Sequence, residues 1–261
     1  MFKSIYGYRF YIVSAIKADY KTRYARSKLG LLWAILQPLA MVSVYAFILS
    51  NILTAKLPGV ATQYAYPIYI LSGVIAWTLF SEVVTRMLSV FIDNASLIKK
   101  MNFPKVTLPV VVTGSALVNY LVFVILSYLV FFLLGHNAFG GLIWLPVLTI
   151  ILLMFSIGFG LLFGILNVFI RDISQIISIL LQFWFWFTPI VYMTSIIPNE
   201  YHNIIYINPM VSIVEGYQEV MLYNASPNLV ALLYPVTVSI VLLLLSLFVY
   251  KKAKMEMADV L

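Results

Sequence analysis

The sequence predicts an all-α integral membrane protein with six transmembrane helices and both termini on the cytoplasmic side. Of its 261 residues, 63% are hydrophobic and only 10% are charged, with a mean hydropathy of +1.03. That composition lies far outside the range of soluble globular domains. Six apolar runs are long enough to cross a bilayer as helices, which needs roughly 20 residues each. The basic residues lie almost entirely on one side of these runs, and basic flanking residues are retained in the cytoplasm.

The charge pattern assigns the orientation without any comparison to other proteins. Of the sixteen Lys and Arg residues, only Lys56 and Arg86 lie elsewhere than on the cytoplasmic side of the runs. The other fourteen flank the runs on that side: Lys3, Arg9, Lys17, Lys21, Arg23, Arg26, Lys28, Lys99, Lys100, Lys105, Arg171, Lys251, Lys252 and Lys254. Because this charge is concentrated at membrane-flanking positions, anionic lipid explains it and no nucleic-acid partner is predicted. We expect a multi-pass protein of the cytoplasmic (inner) membrane.

The first 28 residues mix aromatic and basic side chains, a composition typical of an amphipathic helix lying in the headgroup layer. One interpretation is a simple anchor. In the other, Arg23, Arg26 and Lys28 gather the phosphate groups of an anionic lipid-linked substrate beside the first span.

The six predicted spans are helices, because a helix satisfies its own backbone hydrogen bonds where no water is present. They are Leu29–Leu53, Pro67–Phe91, Val106–Leu134, Leu142–Ile170, Ile173–Met193 and Leu229–Tyr250. The whole chain, 1–261, is predicted to be a single transmembrane domain. It divides into an interface helix (1–28), helices one to five (29–193), an outer segment (194–228), and helix six with a cytoplasmic tail (229–261).

The second span contains one pair of opposite charges. Glu82 and Arg86 lie four residues apart, so they share a helical face and are expected to neutralise one another. A charge at this depth persists only for function or pairing. We interpret the pair as structural and facing protein, since a proton relay would need more acidic residues.

The connection after the second span is too apolar for an ordinary solvated loop. Asn94 is predicted to cap a short helix that ends before Pro104, with Leu97, Ile98 and Met101 on one face. This cytoplasmic segment is predicted to be a docking surface for a partner.

The outer segment carries Glu200, Glu215 and Glu219 and no Lys or Arg. Asn208-Pro209 is typical of a helix N-cap followed by proline at the first helical position. Two short helices at or within the outer leaflet, shielded from lipid by the bundle, are therefore expected. The alternative is a pair of interfacial helices with no moving role.

Polar residues mark one face of two spans. Gln175, Ser178 and Gln182 recur at helical spacing in the fifth span and Trp186 continues the stripe, while the first span offers Trp33 and Gln37. For the aromatic run 183–187 a lipid-facing belt is the alternative, although not all five rings can face lipid. Gly160 and Gly164 form a small-residue pair that indicates close helix packing.

The sequence lacks the motifs of several kinds of catalytic and nucleotide-binding site. There is no G-x-x-x-x-G-K-[ST] loop for ATP phosphates, no H-E-x-x-H and no G-x-S-x-G. The chain has no Cys, and His136 and His202 each lie alone in a predicted loop. No metal site, no bound cofactor and no catalytic residue are predicted.

The stretch Asp19–Leu39 resembles the opening signature of ABC transporter permeases of the polysaccharide-export type. Shorter motifs follow in the order typical of that family: Leu97-Ile98-Lys99-Lys100, Phe103-Pro104, Arg171-Asp172 and Asn208-Pro209. The resemblance implies a homodimer paired with two copies of a separate cytoplasmic ATP-binding subunit, which holds the ATP and Mg. Its substrate would be a lipid-linked polysaccharide such as O-antigen, capsule or teichoic-acid polymer.

The resemblance also implies roles for the segments above. Spans one and five would line the conduit between the two subunits, and 201–222 would form gate helices at the exit, with Asn208, Pro209, Glu215 and Glu219. The coupling helix held by the ATPase would comprise Ser96, Leu97, Ile98, Lys99, Lys100, Met101, Phe103 and Pro104. An exporter of a small hydrophobic compound and a passive homo-oligomeric channel remain alternatives.

Overall fold

The computed structural model describes residues 6–24, 28–44, 64–100, 105–254 and 256–260, and no β-strand occurs in these ranges. Short 3-10 turns lie at Gly30–Leu32, Phe139–Trp144 and Thr194–Ile196. The α-helices are α1 Arg9–Tyr24, α2 Trp33–Ser43, α3 Ala65–Asp93, α4 Ala95–Lys100, α5 Thr107–Leu133, α6 Leu145–Phe169, α7 Asp172–Trp186, α8 Asn199–Ile205, α9 Pro209–Leu222, α10 Leu229–Ala253 and α11 Glu256–Val260. The all-α prediction is confirmed for the described part of the chain.

Four helices of the described residues are long and apolar enough to cross a membrane. They are α3, α5, α6 together with the 3-10 turn before it, and α10. They correspond to the second, third, fourth and sixth predicted spans, with ends that differ by three residues or fewer. The first span is described only through α2 and Val44, and its remaining part up to Leu53 lies outside the described residues.

The fifth span is shorter than predicted. α7 has 15 residues, about 22 Å at 1.5 Å per residue, and ends at Trp186 rather than Met193. Turns and bends follow as far as Met193. The apolar run continues, but Pro189 has no N–H to donate and disfavours helical geometry at Thr188, so the helix cannot continue with it.

α3 lies at the centre of the bundle and packs against α5, α6, α7 and α9. Its Phe80 is fully buried and stacks on Phe155 of α6 at a ring-centroid distance of 5.4 Å. Trp184 of α7 meets the same ring edge-on at 5.3 Å. Aromatic pairs in these geometries contribute beyond the area they bury, so this cluster holds three helices together.

α6 approaches its neighbours closely because it has glycines on opposite faces. A Cβ on Gly160 would lie 2.8 Å from Cβ of Met87, and one on Gly164 would overlap the Met87 carbonyl of α3. On another face, a Cβ on Gly158 would lie 2.9 Å from the Leu243 backbone nitrogen of α10. The prediction of close packing at the Gly160/Gly164 pair is confirmed.

The outer segment contains two short helices, as predicted, and the second is deeply embedded. α9 is buried along most of its length and packs mainly against α3. The Asn208 side chain accepts a hydrogen bond from the Met210 N–H at 3.0 Å, and Pro209 takes the first helical position. The predicted N-cap and the shielding of this helix by the bundle are both confirmed.

Candidate functional site

A cavity of about 450 Å³ opens between α2, α3 and α5. Trp33 and Gln37 line it from α2, Glu82 and Arg86 from α3, and Asn119 from α5. Two residues predicted to line the conduit therefore share one cavity with the charged pair of the second span. Gln175, Ser178, Gln182 and Trp186 are not among the residues that line it.

The principal partner of Arg86 is not the one the spacing indicated. Its Nη2 donates to both carboxylate oxygens of Asp19 on α1, at 2.9 Å each, whereas Nη1 lies 3.8 Å from Oε1 of Glu82. The predicted pairing of Glu82 with Arg86 is confirmed as an ion pair within one helix, but Asp19 is the closer partner. The Asp19 contact is the stronger interaction, because it is a short charge-assisted hydrogen bond shared by both carboxylate oxygens.

A second polar chain runs beside this ion pair. Asn119 Nδ2 donates to Glu82 Oε1 at 2.7 Å, and the Tyr20 hydroxyl donates to Oδ1 of Asn119. Together with Asp19–Arg86, these bonds attach α1 to both α3 and α5. Polar groups placed away from water are retained only when they are paired, and here each pair joins two elements.

Sequence reasoning missed Asp19 and Asn119, although both carry a signal. Asp19 is the only acidic residue among the first 28, and Asn119 is the only Asn or Gln in the third predicted span. The interface-helix prediction rested on the aromatic and basic residues and gave no attention to this acid.

Of the three cations proposed for lipid phosphate, the structure describes one side chain. Lys28 is exposed just before α2. The Arg23 backbone lies in the last turn of α1, but its side chain and the whole of Arg26 lie outside the described residues. Their gathering of phosphate stays a prediction.

α7 presents a broad uncovered face. Gln175, Gln182 and Trp186 are exposed, and Ser178 is half-buried with its hydroxyl donating to the Ser174 carbonyl at 2.7 Å. The same face exposes apolar residues: Ile176, Ile179, Leu180 and Phe183. Within one chain α7 packs against α3 and α6 while α2 packs against α5, so the structure does not bring the two polar faces into one cavity.

The aromatic run 183–187 divides between protein and exterior. Trp184 packs against Phe80 and Phe159, and Phe185 meets Trp77 at 5.6 Å, whereas Phe183 and Trp186 are exposed. The expectation that not all five rings face lipid is confirmed.

α4 follows α3 after a single residue. Asn94 does not cap it as predicted: its Nδ2 donates to the Val90 carbonyl of α3, so the side chain is turned back along the preceding helix. Ser96 and Lys99 are exposed, Leu97 is half-buried, and Ile98 is buried. Ile98 is therefore a packing residue, which corrects its expected place on the docking face.

The rest of the predicted coupling helix is not described. Met101, Phe103, Pro104 and the side chain of Lys100 lie outside the described residues. Among the described coupling residues, Ser96 and Lys99 are the exposed ones.

Asn208 joins the end of α7 to the start of α9. Besides capping α9, its Oδ1 accepts from Trp184 Nε1 at 2.8 Å, and its Nδ2 donates to Thr188 Oγ1 at 3.0 Å. Every polar atom of this amide group is engaged, so the junction is rigidly specified. Sequence reasoning identified the cap but not the link to Trp184.

The two acidic gate candidates face a second cavity, of about 480 Å³, near the outer end of the bundle. The Tyr206 hydroxyl donates to Glu215 at 3.0 Å, and Oε2 of Glu219 accepts from the Asn228 N–H at 3.0 Å. Burial is the main cause that raises the pKa of both carboxyls above the ordinary value. The described residues that line the cavity include these two carboxyls and no Lys or Arg.

Among the described residues, no group of three or more His, Asp or Glu is arranged to hold a metal ion. Residues 11–222, from α1 to the end of α9, match the model of a known family, the ABC-2 type transporter. The chain belongs to the ABC-2 type transporter family. The resemblance to ABC permeases is thereby confirmed over most of the chain.

This ABC-2 transporter chain is similar in sequence to named export proteins. It is 28% identical over 259 residues to the O-antigen export system permease protein RfbA of Klebsiella pneumoniae, covering 98% of this chain and 96% of the relative. Identity to the protein of the same name from Myxococcus xanthus is also 28%, with 98% and 97% covered. The polysialic acid transport protein KpsM of Escherichia coli is 25% identical over 237 residues, with 89% of each chain covered.

Proposed function

We propose that this chain is the transmembrane subunit of an ATP-driven exporter. It moves a polyprenyl-pyrophosphate-linked polysaccharide, most specifically O-antigen, from the cytoplasm to the periplasm across the inner membrane. The observation that carries the proposal is the similarity to O-antigen export permeases along nearly the whole chain. The similarity to a polysialic acid transport protein supports the same class of substrate.

The proposal assigns ATP hydrolysis to a separate cytoplasmic subunit, two copies of which bind two copies of this chain. The sequence lacks a phosphate-binding loop of its own, so ATP and Mg belong to that partner. α4 transmits the partner's closure to the bundle, with Ser96 and Lys99 available at its surface. Transport then follows from a two-state bundle whose equilibrium is shifted by ATP binding and release.

The channel lies between two copies of the chain. The uncovered face of α7 supports this placement, because it combines the Gln175/Gln182 stripe with Trp186 and is not covered within one chain. Amide groups hydrogen-bond sugar hydroxyls, and flat aromatic faces pack against sugar rings. α8 and α9 gate the outer exit, beside the acidic cavity that contains Glu215 and Glu219.

The decisive experiment joins genetics and reconstitution. Deleting the gene should abolish the surface polysaccharide, and the purified chain should form a complex with the ATP-binding subunit encoded beside it. In vesicles, delivery of the lipid-linked polymer should require ATP and stop when the ATPase carries an inactive phosphate-binding loop. Delivery that persists without ATP would instead indicate a passive channel, and an unchanged surface glycan would indicate an exporter of another compound.

A further inference from the structure

A third cavity, of about 410 Å³, lies between α3, α5, α6 and α10 and is separate from the two described above. Its lining is almost wholly hydrocarbon and aromatic surface: Phe91, Val106, Pro109, Val110, Thr113, Gly114, Ile157, Leu161, Leu247 and Tyr250. The one hydroxyl of an aliphatic side chain there, on Thr113, is already bonded to the Pro109 carbonyl at 2.9 Å. The cavity therefore offers nothing to a polar ligand.

Two of the helices that line this cavity, which we call the groove, also have apolar faces that the bundle leaves uncovered. On α5 the exposed apolar residues recur every three or four positions: Val118, Leu121, Ile125, Leu129 and Phe132. On α10 they include Val241, Leu244, Leu245 and Phe248. In a membrane protein such stripes face lipid tails.

Lysines lie at one end of the groove. Lys105 directly precedes the lining residue Val106, and Lys251 directly follows the lining residue Tyr250. Lys105 Nζ donates to the Lys254 carbonyl at 3.2 Å, which draws the start of α5 and the end of α10 together. An ammonium group has three donors, so Lys105 retains donors for a second acceptor. The nearest acidic residues along the chain are Asp93, two residues after the lining residue Phe91, and Glu256, two residues after Lys254. They are outnumbered by Lys105, Lys251, Lys252 and Lys254.

An apolar groove with lysines at one end is complementary to a ligand that has a hydrocarbon chain and an anionic headgroup. We infer that the groove binds a single anionic phospholipid of the inner leaflet, with one acyl chain between α5 and α10 and its phosphate beside Lys105 and Lys251. Juxtamembrane lysines attract anionic headgroups, and the groove supplies the matching hydrophobic contact. A polyprenyl tail is several times longer than a groove of this size, so the substrate carrier is not the occupant that we infer.

α1 packs on α5, the helix that forms one wall of the groove. Ile16 packs into the space that a Cβ on Gly114 would occupy, and Gly114 lines the groove. The bound lipid would therefore contact the wall that α1 also touches, and it would stabilise the docking of α1 on α5.

The test uses the full-length chain in vesicles that contain a trace of photoreactive phospholipid. Phosphatidylglycerol with a reactive acyl chain should label peptides 105–114 and 247–254 several-fold more than phosphatidylcholine with the same chain. Labelling spread evenly along the exposed stripes, or equal for the two headgroups, would overturn the inference. This comparison of the two phospholipids uses the native protein, so a folding defect in a variant cannot affect the result.

Matched variants separate the tail from the headgroup. Val110→Trp fills the groove and should abolish the selective labelling, whereas Ile125→Trp, on the lipid-facing stripe of the same helix, should not. Lys105→Gln and Lys251→Gln should each reduce the preference for phosphatidylglycerol roughly five-fold, and Arg171→Gln should leave it unchanged. If Val110→Trp instead changes the oligomeric size, and chain-to-chain cross-links map to the groove, a second copy occupies it and the inference is wrong.

Discussion

Arg86 lies inside a membrane-spanning helix and is held by two carboxylates from different elements. Both carboxylate oxygens of Asp19 accept from Nη2 of Arg86, and Glu82 lies farther away, near Nη1, on the same helix as Arg86. Glu82 in turn is held by Asn119. The charge of Arg86 thus serves to attach α1 to the helix bundle.

Asp19→Asn is expected to destabilise the protein. The substitution keeps the shape of the side chain and one acceptor oxygen but leaves Glu82 as the nearest carboxylate to Arg86, at a cost of about 1–3 kcal/mol for a partly buried charged pair. Thermal unfolding in detergent, followed by Trp fluorescence, should show Tm lower by roughly 2–4 °C per kcal/mol. Asp93→Asn is the control, because Asp93 is exposed and bonds only to Ser89 of its own helix. Equal losses for the two variants would contradict this role for Asp19.

Glu215→Gln is expected to change how stability depends on pH. Burial raises the pKa of Glu215 in the folded protein above the ordinary value of 4.5. A raised carboxyl pKa means that the folded state binds the proton more tightly, so this stabilisation is full below pH 4.5 and is lost as pH rises through the folded pKa. Gln keeps an oxygen that accepts from Tyr206 and has no charge to bury.

The variant should therefore be more stable than the native protein at neutral pH and lose less stability between acidic and neutral pH. Parallel unfolding series over that range measure both effects. Glu200→Gln, at an exposed position of α8, is the control. If stability changes with pH by the same amount in the Glu215→Gln variant and in the native protein, burial of the Glu215 carboxylate is not the cause of that change.

At the residue scale, the sequence predicted interactions between near neighbours and missed those between distant ones. The Asn208 cap and the sharing of a face by Glu82 and Arg86 follow from local helix geometry. Asp19 and Arg86 are 67 positions apart, and Asn119 and Glu82 are 37 apart. These pairings depend on how α1 and α5 dock against α3, which no local pattern specifies.

The glycines of α6 determine how closely the neighbouring helices can pack against it. Gly164→Ala would place a methyl group against the Met87 carbonyl, which is backbone and cannot move aside cheaply. We expect a loss of about 1–3 kcal/mol from overpacking, measured as a lower midpoint of thermal unfolding. At Gly140 the nearest atom, Oδ1 of Asn224, lies 3.4 Å from an added Cβ. Gly140→Ala should therefore be nearly neutral, and a similar loss there would show that the backbone contact is not the cause.

In the proposed function, coupling to the ATPase depends on α4. Lys99→Glu reverses an exposed charge without disturbing the buried Ile98. We expect affinity for the ATP-binding subunit to fall at least about ten-fold, because like charges at an interface oppose docking. Co-purification and titration of the two proteins measure this. Lys21→Glu makes the same change at an exposed position of α1, and unaltered affinity for Lys99→Glu would reassign the docking site.

At the element scale, the ends of four long apolar runs were predicted to within three residues, the fifth was predicted too long, and the first is only partly described. Hydropathy reports where a segment is apolar but not whether it stays helical, and Phe187–Met193 remains apolar after the helix has ended. Pro189 was the signal for that ending. The apolar character of α9 predicted that this helix is buried. It did not predict packing against α3, because the sequence of a buried helix does not specify which helix it contacts.

The orientation of the whole molecule rests on the distribution of Lys and Arg. The chain contains no Cys, so Ser96→Cys and Asn203→Cys each introduce a single thiol, both at exposed positions. In intact cells a membrane-impermeant maleimide should label the Asn203 variant and leave the Ser96 variant unlabelled until the membrane is opened. Labelling of both from one side would contradict the arrangement of α4 inside and α8 outside.

The side-chain amide of Asn208 can transmit motion from one helix of the bundle to another. The Asn208 side chain accepts a hydrogen bond from the Trp184 indole of α7 and also caps α9. These two helices are therefore joined at one residue. A tilt of α7 would move the first turn of α9 directly through this side chain, in addition to any motion passed along residues 187–208. If α7 lines the polymer path and α9 gates the exit, as we propose, Asn208 couples the two.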